Sequence, residues 1–539
     1  MKWVIASCFA LSALSTAEVA VTETVTEEVK SFDYQTVIAE PLKELGEPAI
    51  RLEVGEPNLL VFSPSLKAQE HVRQGFAMIH ASWDFEAYRH FATALEADPQ
   101  CLMAYCGIVL ALTNPEHEFK EQRAKAFNRM LSLAEHKEGE EFVYPENERM
   151  YAVAIAELMA NGLQRGAATF RQLAESYPND LQAQLFALLL SRGGYNSLGN
   201  PRLQQRETVA KLEELYAEYP NEPMVLNFLL MAQAEAPYQA VDFKGYMLPK
   251  AKRLVELSDG KVPSWQAFLG YVAWRSGELE IAEAAFAEAV RLYDIWRVEN
   301  KIQPADCEGL LRAQLFFATV LHAEGEQEAA LAEIDAVTRF CAPITREYST
   351  GALTAKWIAG LLPLKMALEE DDFALAADRL PEIGKVKQDN LMPFEAIVTA
   401  YKLYIDTRTV AKDGKHEAAK RGHAKMAALL TEVKGKQGLV SKSPEFGDYV
   451  RELQALGVLH KSLTGDVTEQ QGMINVWYQA AADAQTAGSR LLPPNILYPL
   501  EYKLGVIQLD AGNEAKAKES FEKALLRQPS YFKAAEGLK

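Results

Sequence analysis

The chain has 539 residues, of which 49% are hydrophobic and 9% aromatic. This content supports a large buried core and excludes disorder over most of the chain. The formal net charge of −18 indicates an acidic surface, which repels phosphate backbones and argues against general nucleic-acid binding.

The N-terminus has the layout of a secretory signal peptide over residues 1–17. Lys2 supplies a basic start, a mostly apolar run follows, and Ser15-Thr-Ala17 places small residues before a cleavage site at Glu18. The apolar run is too short to span a bilayer, and no transmembrane segment is expected elsewhere. We therefore expect export to the periplasm or the cell exterior. Cys8 has a lipobox-like context, but the apolar run continues past it, so a lipid anchor is not expected.

Residues 18–65 differ in composition from the rest of the chain. Branched and acidic residues alternate over residues 19–28, and prolines recur at positions 41, 48, 57 and 64. We expect an acidic, flexible leader without a core of its own, in which a short strand or turn could pack against the body.

From residue 66 onward the apolar residues recur with helical periodicity, and the pattern itself repeats. The clearest units are 68–101, 263–296 and 498–531. Each has glycine at position 8, alanine at 20, an aromatic residue at 24 and alanine at 27. These residues are Gly75, Ala87, Phe91 and Ala94; Gly270, Ala282, Phe286 and Ala289; and Gly505, Ala517, Phe521 and Ala524. Small residues let the two helices of a unit approach closely, and the aromatic residue fills the gap to the next unit.

This spacing resembles the tetratricopeptide repeat, a helix–turn–helix unit of about 34 residues. Glycine ends the first helix in the turns 276–279, 324–327 and 511–514. The sequence therefore predicts an all-α, tetratricopeptide-type helix-turn-helix solenoid over 66–539, a right-handed superhelix of roughly ten helix pairs. Loops longer than the repeat requires are predicted at 193–201, 236–249 and 435–443.

Residues 74–112 also resemble the opening unit of a family of exported bacterial tetratricopeptide proteins. The matching residues are Gly75, Glu86, Ala87, Phe91, Asp98, Pro99, Cys101, Met103, Ala104, Tyr105 and Gly107. The resemblance implies an exported repeat protein without assigned chemistry. Relatives often carry histidines on the central helices, but residues 225–233 and 265–274 have none here, so no metal site is expected there.

Residues 83–107 bring several chemically reactive side chains close together in the sequence. They include Tyr88, His90, Cys101 and Cys106. The spacing does not provide a nucleophile, a base and an orienting third group, whereas the repeat positions explain the aromatic and small residues. We therefore interpret this stretch as core packing.

Four cysteines remain after removal of the signal peptide: Cys101, Cys106, Cys307 and Cys341. Cys101 and Cys106 lie on one predicted helix, about 140° apart around its axis, so they should not bridge each other. The spacings match no zinc or haem motif. We expect free, buried thiols.

Histidine patterns give no metal site either. His117 with Glu118 lacks the second histidine of a zinc-protease motif, and His71 and His80 are nine positions apart. His416 and His423 share a face of a basic helix, which we interpret as solvated. Because phosphate-binding, dinucleotide-binding and serine-nucleophile motifs are also missing, neither a cofactor nor catalysis is predicted.

Two surfaces are candidates for partner binding. The first is the concave face lined by first helices, with the candidate residues Gln266, Arg275, Gln314, Tyr502 and Lys503. The second, which we call the basic docking patch, could bind an acidic partner, an anionic polymer or the leader. Its residues are Lys412, Lys415, Lys420, Arg421 and Lys425.

The sequence thus predicts an exported, non-catalytic scaffold that binds a protein or peptide through a preformed surface. Two alternatives stay open. One is an enzyme with a site hidden between helical repeats, and the other is a lipid-anchored envelope assembly factor.

Overall fold

The computed structural model describes residues 32–113, 118–196, 199–383, 393–468, 470–485 and 489–539. Within these ranges the secondary structure is almost entirely helical. Two short antiparallel strands, β1 (Lys137–Glu138) and β2 (Glu141–Phe142), form the one small sheet among the described residues. The predicted all-α fold class is confirmed, and the predicted signal peptide lies outside the described residues.

The chain divides into two compact units. Unit 1 comprises the described residues within 32–236, 249–266 and 291–303, and unit 2 comprises those within 237–248, 267–290 and 304–539. None of the described helices is long and apolar enough to cross a membrane.

The helices before residue 260 have the following bounds: α1 (Glu40–Lys43), α2 (Leu66–His80), α3 (Asp84–Ala97), α4 (Leu102–Ala111), α5 (Lys120–Ala134), α6 (Glu146–Asn161), α7 (Leu163–Ser176), α8 (Leu181–Ser191), α9 (Leu203–Glu218), α10 (Pro223–Met231) and α11 (Leu248–Leu257). Helices α12 (Pro263–Ser276) and α13 (Leu279–Asn300) each contribute residues to both units.

The helices of unit 2 that follow are α14 (Glu308–Ala323), α15 (Gln327–Cys341), α16 (Thr350–Thr354), α17 (Leu362–Glu369), α18 (Phe373–Asp378), α19 (Pro393–Lys412), α20 (His416–Gly435), α21 (Gln437–Val440), α22 (Phe446–Asp466), α23 (Gln471–Ala484), α24 (Leu500–Asp510), α25 (Glu514–Arg527) and α26 (Phe532–Gly537). Single 3₁₀ turns lie at Tyr34–Val37, Leu52–Val54 and Pro304–Asp306, and single π-helical turns at Phe243–Met247 and Ala355–Ala359.

Consecutive helices pack against each other as pairs, including α2 with α3, α6 with α7, α14 with α15, α19 with α20 and α24 with α25. The aromatic residue of the repeat holds these pairs together. Phe91 is fully buried between glycines of α2 and α4, and a Cβ added to Gly75 or Gly107 would lie 2.4 or 2.2 Å from its ring. Only glycine permits such close packing, which is the reason for the glycine at position 8.

The same contact recurs in the other clear units. A Cβ on Gly270 would lie 2.7 Å from the ring of Phe286, and a Cβ on Gly505 or Gly537 would lie 2.5 or 2.7 Å from the ring of Phe521. One aromatic ring therefore fills the gap between its own helix pair and the next helix. These contacts confirm the tetratricopeptide-type packing predicted from the spacing.

The turns inside the pairs also follow the prediction. Gly277, Gly325 and Gly512 have φ values of 80°, 87° and 75°, the left-handed conformation in which a helix ends at little cost for glycine. At the corresponding turns after α2 and α17, Ser82 (φ 57°) and Asp371 (φ 53°) adopt the same conformation without the freedom of glycine.

From residue 32 onward, the segment expected to be a flexible leader packs against unit 1. Val37 and Val54 are fully buried. The Tyr88 hydroxyl donates to the Val37 carbonyl at 2.6 Å and accepts from the Ala39 N–H at 2.8 Å. This part of the expectation is corrected, because the segment contributes apolar side chains to the core of unit 1 and cannot stand apart from it without exposing them.

Candidate functional site

Most of residues 83–107 are buried, as predicted, and the exceptions lie at the helix ends, where Asp84, Glu96, Pro99 and Gln100 are exposed. Cys101 and Cys106 are fully buried, Cys307 and Cys341 are nearly so, and none of these four cysteines forms a disulfide. Burial is the main cause that raises the pKa of Cys101 and of Cys106, which disfavours the thiolate that a nucleophile needs. His90 is also fully buried, with Nδ1 2.9 Å from Nδ1 of His71.

Two residues predicted for the concave face are held by internal contacts. Gln266 is buried in unit 1, and its side-chain amide donates to the Gly260 carbonyl at 3.0 Å. Arg275 is buried in unit 2, where its guanidinium lies 4.0 Å from the ring centroid of Phe243. Both side chains present little area to a partner.

The other three predicted residues belong to unit 2 and are half-buried. The Gln314 side-chain amide donates to Glu333 Oε2 at 2.8 Å. Tyr502 and Lys503 are neighbours on α24, and Lys503 Nζ lies 2.5 Å from Asp371 Oδ2. A role of these residues in partner binding stays a prediction.

The basic docking patch is exposed. Lys412 ends α19, Lys415 lies in the following turn, and Lys420, Arg421 and Lys425 lie on α20; all five residues are exposed. The opposite side of α20 packs inward through Ala419, Met426, Leu430 and Val433. The helical period thus separates an apolar face from a cationic face. Two of the five cations have exposed acidic neighbours as partners, Lys415 with Asp413 at 2.9 Å and Lys420 with Glu417 at 3.2 Å.

A partly buried ionic network lies elsewhere in unit 2, around Asp371. Lys503 contacts one oxygen of Asp371, and Arg408 Nη2 lies 3.5 Å from the other. Arg408 also forms a short ion pair with Asp466 and donates to the Tyr478 hydroxyl at 2.6 Å. Burial is the main cause that lowers the pKa of Lys503, against the opposing effect of Asp371.

Next to this network lies a group of potential metal ligands. His322 is in the last turn of α14, Glu369 ends α17, and Glu370 follows it directly. One ligand atom from each of these residues can be chosen so that all three lie within 4.8 Å of one another. His322 and Glu369 are buried and Glu370 is exposed, so the group lies at the edge of the core.

The sequence analysis did not find this group, because His322 and Glu369 are 47 positions apart and meet only when neighbouring helix pairs stack. The available signal was the run of four acidic residues at 369–372, which lies at a turn between helices. The contact of His423 with His460 was missed for the same reason; their rings stack with centroids 4.3 Å apart.

No protein-family model matches the chain, and no curated protein matches it. Among solved structures, the chain is similar to the TPR domain of P58(IPK), with 10% identity over 87% of this chain and 96% of that chain, at a TM-score of 0.19. A TM-score this low carries no argument about function. By the glycine–aromatic contacts and the left-handed turns, the chain is an all-α protein of tetratricopeptide type.

Proposed function

We propose that this chain is an exported, non-catalytic scaffold that binds a protein or peptide partner. Stacked helix pairs hold their outward side chains on a rigid surface, so binding orders few additional groups and loses little conformational entropy. The tetratricopeptide type of fold suggests protein interaction in general. The surface charge indicates which kind of protein or peptide the partner is.

The observation that carries this proposal is the exposure of the basic docking patch on a chain whose formal net charge is −18. A local cationic surface on an acidic protein attracts an acidic partner while the rest of the surface repels it, which fixes where the partner binds. We therefore expect an acidic protein or an acidic peptide segment as the partner. Binding through exposed charges should weaken as salt rises.

Export is the second part of the proposal, and it rests on the signal-peptide layout of residues 1–17. The chain recovered from its own organism should then begin at Glu18 and carry no lipid. Intact-protein mass spectrometry of the envelope and culture fractions measures both. Recovery of a chain that still begins at Met1 would contradict this part of the proposal.

The binding experiment compares three forms of the mature chain in a pull-down from envelope extract, read by mass spectrometry. The test variant carries Lys420→Glu, Arg421→Glu and Lys425→Glu. The control carries Lys516→Glu and Lys518→Glu, two exposed lysines on α25. Circular dichroism checks that both variants remain helical.

We expect a stoichiometric acidic partner with the wild type and with the control, and loss of that partner with the test variant. The partner should also be recovered less well at moderate salt than at low salt. If the same partner binds all three forms equally at both salt concentrations, the basic docking patch is not the binding surface. A Tyr502→Ala variant then tests the concave face.

A further inference from the structure

We infer that His322, Glu369 and Glu370 bind one divalent transition-metal ion, of which Zn²⁺ is the best fit. This site goes beyond the proposed scaffold function and does not depend on it. It would join α14 to α17, two first helices of neighbouring pairs in unit 2.

The geometry of the three side chains matches a metal site after a small adjustment. His322 Nε2 and Glu369 Oε2 lie 2.9 Å apart, and the set including Glu370 fits within 4.8 Å. Ligands on a tetrahedral zinc ion, each about 2.0–2.1 Å from the metal, stand about 3.4 Å from one another. Nε2 of His322 and Oε2 of Glu369 would have to separate by about 0.5 Å to reach this spacing. The Glu370 side chain is 45% exposed, so it can rotate to complete the set.

The orientation of the imidazole is fixed by a neighbour on α15. His322 Nδ1 lies 2.6 Å from the side-chain carbonyl oxygen of Gln327, so Nδ1 carries the proton and donates it. Nε2, directed at Glu369, is then left with a lone pair in the neutral ring. A lone pair and a carboxylate 2.9 Å apart repel each other unless a proton or a cation lies between them. Histidine ligands in metal sites are commonly held in this way, with the second ring nitrogen donating to a neighbouring oxygen.

An independent observation comes from Tyr531, which is 3% exposed. Its hydroxyl has no hydrogen-bond partner. Tyr531 directly precedes α26, and Lys533 on that helix reaches Glu370 Oε2 at 2.7 Å, which places the start of α26 beside the carboxylates. A buried hydroxyl without a partner is expensive. Three protein ligands leave a coordination position for water, and a metal-bound water is a suitable partner for this hydroxyl.

One lysine competes directly with a metal ion for a carboxylate of the site. Lys533 Nζ lies 2.7 Å from Glu370 Oε2, and Lys503 Nζ lies 3.3 Å from the backbone carbonyl of Glu369. Lys503 is otherwise committed to Asp371, so Lys533 is the cation that a metal would have to displace or share. Removing the charge of Lys533 should therefore strengthen metal binding.

The ligand types decide the class of metal. One imidazole nitrogen with two carboxylates suits zinc and similar transition metals, whereas Mg²⁺ and Ca²⁺ prefer sites with oxygen ligands only.

The test is isothermal titration of ZnCl₂ into the full chain at neutral pH, after dialysis against a chelator. The variants are Glu370→Gln, which changes an exposed side chain and should not affect folding, and His322→Gln. Lys533→Met tests the competing cation. His416→Gln, at an exposed histidine on α20, is the matched control for adventitious binding.

We expect one Zn²⁺ per chain, with affinity at least about tenfold weaker in Glu370→Gln and in His322→Gln, unchanged in His416→Gln and stronger in Lys533→Met. Absence of Zn²⁺ binding by the wild type would overturn the proposal. So would equal binding by the wild type, Glu370→Gln and His322→Gln, which would indicate an adventitious ion only. Equally tight binding of Mg²⁺ would overturn the assignment to a transition metal.

Discussion

Glu148 is a fully buried carboxyl group in unit 1, and it makes the stability of this unit depend on pH. It lies in the first turn of α6, where one oxygen accepts the backbone N–H of Phe62 and the other oxygen has no hydrogen-bond partner. Burial, reinforced by the charge of Asp98 and opposed by the bond from Phe62, raises the pKa of Glu148 from 4.5 to about 8. The side chain is therefore mostly protonated in the folded protein at neutral pH.

The effect of Glu148 on the free energy of unfolding follows from its pKa in the unfolded chain, 4.5, and its pKa in the folded protein, about 8. A carboxyl whose pKa is raised by folding contributes its full share of stability below pH 4.5 and loses it as pH rises toward 8. At about 1.36 kcal/mol per pH unit, the loss reaches about 3 kcal/mol at pH 7 and stays below about 1 kcal/mol at pH 5. Glu148→Gln removes the titration and keeps a carbonyl oxygen for the Phe62 N–H, so the variant should be more stable than the wild type by about these amounts.

The assay is thermal unfolding of the wild type and Glu148→Gln at several pH values from 5 to 8. For a unit of this size, a change of about 3 kcal/mol corresponds to a shift of the melting temperature by roughly 5–10 °C. Glu146→Gln, at an exposed residue of the same helix, is the control and should follow the wild type. The reasoning is refuted if the difference between Glu148→Gln and the wild type does not grow between pH 5 and pH 8.

Three other substitutions test the packing, the backbone and the histidine pair, each by the shift in melting temperature. Gly107→Ala should lower the free energy of unfolding by about 1–3 kcal/mol, because the added Cβ overpacks against Phe91. Gly457→Ala is the control and should cause no such loss, because a Cβ there meets nothing within 4 Å. Lys301→Gly should raise the free energy of unfolding by roughly 0.5–1 kcal/mol, because φ is 57° at this residue and glycine adopts this conformation without strain. Lys301→Ala keeps the strain and should leave the free energy of unfolding unchanged. Burial is the main cause that lowers the pKa of His460 from 6.5 to about 4. As pH drops from 6.5 to 4, the unfolded chain therefore takes up the proton before the folded chain does, and the free energy of unfolding falls. His460→Gln should reduce this loss of stability at acidic pH.

The fold could be predicted from the sequence because its determinants are close together in the chain. The glycine at position 8 and the aromatic residue at position 24 belong to one helix pair, and their contact follows from the crossing of two adjacent helices. The spacing of Gly75 and Phe91 therefore predicted their contact, in which a Cβ added to Gly75 would lie 2.4 Å from the Phe91 ring. The turn glycines are equally local, since each one simply ends the helix that precedes it.

The candidate sites depend on contacts that no local pattern encodes. Lys503 was predicted for an open groove from its place on a first helix, but its ammonium group pairs with Asp371, 132 positions away. His71 and His80 were compared because they are close in sequence, whereas His71 contacts His90 on the next helix. The helical period predicts which face of a helix is buried; it does not predict which residue of another helix pair that face meets.

The leader was misjudged for a related physical reason. Its composition, acidic and rich in proline, has too few apolar residues for a core of its own, and that inference was sound. Its apolar side chains nevertheless complete the core of unit 1, where Val54 is fully buried and the Phe62 backbone bonds Glu148. A segment without a core is flexible only when no preformed apolar surface is available to it.

Departures from the repeat consensus indicate where this chain differs from a plain scaffold. At most of the clear turns glycine adopts the left-handed conformation without strain, but the turn after α17 places Asp371 there, at φ 53°. An aspartate at this position is strained, and such strain persists where the surrounding structure fixes it. Lys503 and Arg408 both bind the Asp371 carboxylate, and the two residues before it, Glu369 and Glu370, are the carboxylates of the proposed metal site. Glycine at 371 would form the turn more easily, but it would remove the carboxylate that pairs with Lys503 and leave Asp466 as the carboxylate partner of Arg408. The charged cluster, and not the helix turn, therefore determines the residue at this position.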